Sequence, residues 1–149
     1  MNYLFDEKES SNIISRINQL SSDSKPLWGK MNVSQMLAHC QAPILVSIGE
    51  MKLRRNIFGM LFGKMAKKVV VGDKPYKRSL PTTPMFVVKD ERNFEAEKEK
   101  LIQLVSRFSS GGPNGITKEP HPFFGAMSVA EWNKSQWKHL DHHLQQFGV

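Results

Sequence analysis

The sequence of 149 residues has little cysteine and no long apolar run. Its one cysteine, Cys40, excludes an internal disulfide and any zinc site built on several thiolates. No run approaches the roughly 18 apolar residues of an ordinary membrane-spanning helix, so such a helix is also excluded. The N-terminus has no basic stretch followed by an apolar one, so we expect no signal peptide and a cytoplasmic location.

Signals for β-strands are also few. Two short β-branched runs, at 69–71 and 85–88, could be extended chain, and no others stand out. The composition, 40% apolar and 23% charged, is typical of one globular domain, which we place at residues 1–149. A domain of this size buries roughly 70% of its unfolded surface, so it can build a core without disulfides.

Four stretches have apolar residues at helical spacing. The second begins at Asn32 with Gln35 three residues later, and the fourth begins at Ser128 with Glu131, as in capping boxes. The predicted helices lie near 6–21, 32–48, 91–109 and 128–146. Four amphipathic helices bury their apolar faces most simply against one another, so we predict an all-α protein, an up-down-type four-helix bundle.

The segment 50–90, between the second and third predicted helices, is too long for a simple loop of a bundle. Residues 51–80 hold nine lysines and arginines and one acid, Asp73, so they carry more positive charge than the whole chain, whose net charge is +7. A structureless link of this length is uncommon in a domain. We therefore predict an irregular, partly helical basic insertion, with an extra helix at 57–68.

The extra helix has an apolar line flanked by lysines. The line is formed by Ile57, Leu61 and Met65 and is widened by Phe58 and Phe62, and the lysines are Lys64, Lys67 and Lys68. Such a helix can contact a membrane surface or an acidic partner, which makes a non-enzymatic binding protein using residues 52–78 the alternative function. We favour the simpler interpretation, in which the aromatic side packs on the bundle, the lysines are solvated, and neutralising them leaves folding nearly unchanged. Nucleic acid is disfavoured, because no helix-turn-helix or RNP-type pattern is visible.

Histidines carry the clearest chemical pattern. His139 and His143 are four residues apart on the fourth predicted helix, so both rings project from nearly the same side. This is the spacing by which one helix supplies two ligands to one metal ion. If the second and fourth helices are neighbours, His39 completes a set of three. Three neutral imidazoles suit Zn²⁺ or Ni²⁺ and leave coordination positions open, as in catalytic sites.

The remaining candidates have simpler interpretations. His142 is about 100° from His143 around the helix, so we expect it to point outward. His121 lies in a predicted loop and is interpreted as structural, while Cys40 is interpreted as core. The alternative interpretation is that His139 and His143 belong to a polar surface, since the last turn of a helix favours histidine through the helix dipole.

Two regions of the chain resemble the DinB/YfiT-like four-helix-bundle superfamily. Residues 28–39, Trp-Gly-Lys-Met-Asn-Val-Ser-Gln-Met-Leu-Ala-His, are similar to the start of its second helix. Residues 121–125, Trp132 and residues 139–146 are similar to its closing region, with the pattern His-x-x-His-His-x-x-Gln. The chain looks closest to an uncharacterised branch. The resemblance implies one divalent metal held by His39, His139 and His143. Related bundles often pair, so a homodimer is one candidate for the oligomeric state, which the sequence leaves open.

The same resemblance implies a metal-dependent enzyme acting on a small-molecule substrate. The chemistry would be that of thiol-dependent S-transferases and isomerases, with a low-molecular-weight thiol as cofactor, or that of a hydrolase. Gln146, one turn beyond His143, could orient a ring or a bound water from outside the set of ligands. No Asp or Glu falls on the histidine face of either helix, so no general acid or base is identified, which weakens the hydrolase version.

Overall fold

The computed structural model describes residues 2–54, 57–78, 80 and 84–149, apart from the side chains of residues 58 and 60. Within these ranges the protein has five α-helices, two short 3₁₀-helices and no strand, so the predicted all-α class is confirmed. The α-helices are α1 (Glu7–Gln19), α2 (Val33–Ser47), α3 (Ile57–Val71), α4 (Phe94–Gly111) and α5 (Val129–Gln146). None of these five has both the length and the apolar character needed to cross a membrane.

The helices begin where their capping residues predict. The side chain of Asn32 accepts a hydrogen bond from the backbone N–H of Gln35, and Gln35 Oε1 accepts one in return from the backbone N–H of Asn32. Ser128 and Glu131 form the same reciprocal pair at the start of α5. Of the two runs that could have been extended chain, 69–71 is the last turn of α3, and the first two residues of 85–88 lie in the 3₁₀-helix Pro84–Phe86. The structure does not describe residues 55 and 56 of the predicted basic segment, nor the side chain of Phe58.

Helices α1, α2, α4 and α5 pack around one apolar core. Helix α4 contacts α1 and α2, while α5 contacts α1, α2 and α3. The core has fully buried side chains from all four helices, among them Ile13, Ile17, Leu37, Ile44, Leu101, Val105 and Leu140. Full burial of such a side chain contributes about 1.5–3 kcal/mol to folding. The consequence for function is that α2 and α5 lie side by side.

Helix α3 turns its glycines inward, while three of its large apolar residues face outward. Gly63 is buried, whereas Ile57, Leu61 and Met65 are 73%, 68% and 71% exposed. The favoured interpretation places the aromatic side of the helix on the bundle, but Phe62 is 57% exposed, and the side chain of Phe58 lies outside the described residues. The physical reason is a close approach of the α3 backbone to the 121–125 loop.

Gly63 makes that approach possible. A Cβ atom at this position would lie 1.8 Å from the carbonyl oxygen of Phe123, far inside van der Waals contact. An amphipathic pattern reports which face of a helix is apolar, but a backbone this close requires the face that has no side chains.

Polar contacts from α5 and its preceding loop hold α3 in place. Lys138 Nζ donates to the carbonyls of Val69 at 2.9 Å and Gly72 at 2.7 Å, which satisfies the C-terminal end of the helix. Lys67 Nζ lies 2.8 Å from a carboxylate oxygen of Glu131 and donates to a backbone carbonyl at residue 126. The expectation of solvated lysines is therefore wrong for Lys67.

We predict that Gly63→Ala destabilises the protein by about 1–3 kcal/mol, because the new methyl group forces α3 away from the 121–125 loop. The matched control is Gly111→Ala, at a helical position with open space around it. The control should be neutral or stabilising by up to about 1 kcal/mol. Urea unfolding of both variants measures the difference, and equal stabilities would contradict the close approach.

Candidate metal centre

Three histidines meet where α2 packs beside α5. One ring nitrogen each from His39, His139 and His143 lies within 4.8 Å of the other two. The Nε2 atoms of His39 and His139 are 3.1 Å apart. Two nitrogens bound to one tetrahedral Zn²⁺ at about 2.0–2.1 Å are about 3.4 Å apart, so this spacing requires little movement. The structure thus brings together the three histidines that the sequence predicted.

His39 is oriented by a carbonyl from outside α2. Its Nδ1 lies 2.7 Å from the carbonyl oxygen of Phe86, which can only accept, so Nδ1 carries the proton. The lone pair is then on Nε2, the atom that faces His139. Sequence reasoning missed this contact, because residue 86 is 47 positions away and outside every predicted helix.

His143 is oriented by Gln146, one turn further along α5. Its Nδ1 lies 2.7 Å from Gln146 Oε1, so Nδ1 again carries the proton and Nε2 keeps its lone pair. The amide of Gln146 is itself fixed, since Nε2 donates to the Trp28 carbonyl at 2.6 Å. Gly29 has φ of +85°, and a Cβ there would lie 2.5 Å from Gln146 Nε2. The loop before α2 therefore supports the amide that holds His143.

The third ring, His139, has a buried nitrogen without a partner. Among the described residues, nothing forms a hydrogen bond to its Nδ1. Burial, followed by the nearby rings of His143 and His39, holds the pKa of His139 well below its usual value. Burial also lowers the pKa of His39, and it lowers that of His143 to about 3. All three rings are therefore neutral at pH 7, which is the form that binds a metal, and the donor set fits one divalent ion.

His142 does not point outward as expected. Its ring is half-buried, with centroids 5.8 Å from Trp28 and 5.5 Å from Tyr76, and burial lowers its pKa. The expectation fails because the segment after α3 covers this side of α5, which the helical rotation alone does not reveal. His142 is still outside the group of three close histidines.

The structural interpretations of His121 and Cys40 agree with their surroundings. The Nδ1 atom of His121 accepts from the backbone amides of Phe123 at 3.0 Å and Phe124 at 3.2 Å, which closes a tight loop. Burial lowers the pKa of His121 to about 4. Cys40 is buried in the core, its thiol 3.7 Å from the sulfur of Met36, and burial raises its pKa.

A cavity of about 660 Å³ adjoins the three histidines. Its walls come from α2, α3, α5, the described residues of the segment 76–86 and the 121–124 loop. Six aromatic side chains line it, namely Phe62, Tyr76, Phe86, Phe123, Phe124 and Trp132. Among the described lining residues there is no Asp, Glu, Lys or Arg. The cavity is large enough for a small organic molecule and offers it a mostly apolar surface.

Gln136 is a residue of this cavity that sequence reasoning missed. It is 3% exposed, and its Oε1 has no hydrogen-bond partner among the residues that the structure describes. Trp132, Gln136, His139 and His143 all line the cavity, at steps of four, three and four along α5. That spacing is one helical face, so extending the histidine stripe backwards would have found Gln136.

The fold and this site define an all-helical protein with a buried cluster of three histidines beside an apolar cavity. The chain belongs to the family described as "Protein of unknown function (DUF1569)", whose model matches residues 5–148. No curated protein and no solved structure matches the chain. Membership of an uncharacterised family is thus confirmed, while nothing in the comparisons ties the chain to the DinB-like superfamily.

We predict that His121→Asn reduces the loss of stability in acid. A native pKa of about 4, below the unfolded value of about 6.5, means that the unfolded state binds this proton first as pH falls. His121 therefore stabilises the fold fully above pH 6.5, and this stability is lost between about pH 6.5 and 4. Asparagine keeps an acceptor for the loop but does not titrate.

The free energy of unfolding should fall by about 2 kcal/mol less between pH 7 and pH 5 in His121→Asn than in the wild type. Urea titrations at the two pH values measure this difference. Parallel losses in both proteins would mean that His121 titrates normally in the native state.

Proposed function

We propose that this chain is a metal-dependent enzyme in which His39, His139 and His143 bind one divalent ion, Zn²⁺ or Ni²⁺. Its substrate is a small molecule held in the adjoining cavity. The observation that carries this proposal is the cluster of three ring nitrogens within 4.8 Å, at the polar end of an otherwise aromatic cavity. Surface histidines would have neither the burial nor the shared direction of these rings.

The groups behind the rings support the same proposal. The Phe86 carbonyl oxygen and the Gln146 amide oxygen each accept a hydrogen bond from the Nδ1 atom of one histidine. In metal sites such partners fix the tautomer and the orientation of a ligand, and losing one typically costs 10–100-fold in metal affinity. Gln146 thus acts on the site through His143 without binding the ion.

The ion, when bound, supplies Lewis-acid activation and lowers the pKa of a thiol or a water in its open position. The chain's own residues hold the ion, keep three imidazoles neutral and surround the reacting groups with apolar walls. No carboxylate lines the described part of the cavity, so no side chain there is a ready base for water. This favours S-transfer with a low-molecular-weight thiol, because a thiol deprotonated at the site needs no separate base.

Kinship with the DinB/YfiT-like superfamily is part of the proposal. The resemblance rests on residues 28–39 and, in the closing region, on residues 121–125, Trp132 and residues 139–146. These residues include the three histidines, Gln146 and the carbonyl that fixes its amide. We further propose that α1, α2, α4 and α5 form an up-down bundle in one domain, with α3 in the basic insertion. The apolar core shared by those four helices and the family match over residues 5–148 support this arrangement.

A second candidate function is attachment to an anionic membrane surface through α3. The observation that favours it is the outward apolar face of Ile57, Leu61, Phe62, Met65 and Val69, all more than half exposed. Lys64 and Lys68 are exposed on the same helix, within the most basic segment of the chain. A short helix with this combination binds at the interface of lipid and water, where acidic headgroups attract its lysines.

For the metal site, we predict that the untagged wild type, purified without chelators and supplied with Zn²⁺ or Ni²⁺, holds about one ion per chain. His143→Ala should lose this ion, because two imidazoles remain where three are needed. Elemental analysis after gel filtration measures the stoichiometry, and circular dichroism verifies that the variant is folded.

His142→Ala is the matched control, since it removes a neighbouring imidazole from the same helix that does not belong to the cluster. It should retain the ion. Gln146→Leu should retain it with affinity lowered by about 10–100-fold. Equal loss of metal from both histidine variants, or a wild type without stoichiometric metal, would contradict the proposed site.

For the membrane surface, we predict that the protein sediments with vesicles containing 30% phosphatidylglycerol and not with pure phosphatidylcholine. Leu61→Gln should lower the partition coefficient by at least about tenfold, since burying one leucine contributes about 1.5–3 kcal/mol. Replacing Lys64 and Lys68 with Gln should lower it by about thirtyfold, at about 1 kcal/mol for each lysine.

Leu27→Gln is the matched control, because Leu27 is 69% exposed but lies outside α3. It should bind vesicles like the wild type. Equal binding to neutral and acidic vesicles would contradict attachment to an anionic membrane surface. A dimer in gel filtration, in which a second copy covers this apolar face, would contradict it as well. Neither result bears on metal content, so the two candidate functions are tested separately.

A further inference from the structure

We propose that the cavity takes a small molecule with an uncharged, mostly apolar body and one hydroxyl or N–H group, whose hydrogen Gln136 accepts. This deepens the proposed function, on which it rests, by naming the class of substrate and the residue that positions it.

The first argument is the state of Gln136. Its side chain is 3% exposed and lines the cavity, yet Oε1 has no partner among the described residues. A buried polar atom without a partner destabilises the fold, so native proteins keep few of them. If the two ends of the amide were exchanged, an unpartnered N–H group would take its place, so an unused polar atom is present in either orientation.

The second argument is the position of Gln136 relative to the histidines. It precedes His139 by three residues on α5, so the two side chains are adjacent on one face, separated by about 4.5 Å along the helix axis. A molecule that places its reacting group at the three histidines therefore lies beside Gln136 only a few atoms away from that group. The donor that Gln136 accepts is therefore close to the reacting group.

The third argument is the character of the walls. Beyond Gln136 the described lining is mainly aromatic and aliphatic, with no charged carboxylate, ammonium or guanidinium group. Away from the three histidines, a charged group would lose its hydration without gaining an ionic partner, so the cavity selects a molecule whose body is uncharged.

The experiment uses two probes and metal-free full-length protein, so that its outcome does not depend on the ion. The probes are 2-naphthol, which has one O–H donor, and 2-methoxynaphthalene, which has the same rings and no donor. Quenching of tryptophan fluorescence gives both dissociation constants. The wild type should bind 2-naphthol about tenfold more tightly, the value of one hydrogen bond to a buried acceptor.

Gln136→Met should abolish this preference and should not lower the melting temperature, because the amide oxygen that it removes has no hydrogen-bond partner among the described residues. Gln145→Met, at an exposed glutamine of the same helix, is the matched control and should keep the preference. His143→Ala without metal should also keep it, which separates failure at the metal site from failure of this inference.

Three results would overturn the inference. One is equal binding, or no binding, of the two probes by the wild type. Another is an unchanged preference in Gln136→Met. The last is a marked fall in the melting temperature of Gln136→Met, since it would mean that the amide serves the fold through bonds of its own.

Discussion

The burial of three neutral imidazoles between two packed helices is the constraint on which the rest of this site depends. A buried imidazole ring must be neutral, and each of its two nitrogens then needs an appropriate partner. Phe86 and Gln146 satisfy one nitrogen of His39 and one of His143. Those partners leave the unprotonated nitrogens of both rings inside the cluster. The arrangement is costly for a metal-free core and well suited to holding a cation.

The parts of the fold that could be predicted from the sequence are those with local causes. Capping residues such as Asn32 and Ser128 act within three positions, so helix ends follow directly from neighbouring residues. The pair at 139 and 143 is also local, since one helical turn places both rings on the same side. His39 required the further assumption that α2 and α5 are neighbours, which the apolar stripes made reasonable.

The parts that could not be predicted depend on contacts between distant segments. The inward face of α3 is decided by the approach of Gly63 to a loop 60 residues later, and no periodicity encodes that approach. His142 is covered by Tyr76, which belongs to a segment without a regular pattern. The Phe86 carbonyl is a backbone group, which every residue has, so no residue type in the sequence indicates this contact. Gln136 alone among the missed residues had a local signal.

The contact between His39 and Phe86 has a thermodynamic consequence. Phe86 supplies the carbonyl that orients His39, and it also forms part of the cavity wall. A molecule that presses on this wall and an ion held by His39 therefore act on the same backbone segment. If binding of the molecule changes the affinity for the ion, binding of the ion changes the affinity for the molecule by the same factor, because linkage between binding equilibria is reciprocal. The affinity of the proposed site for an ion thus becomes a measure of what occupies the cavity.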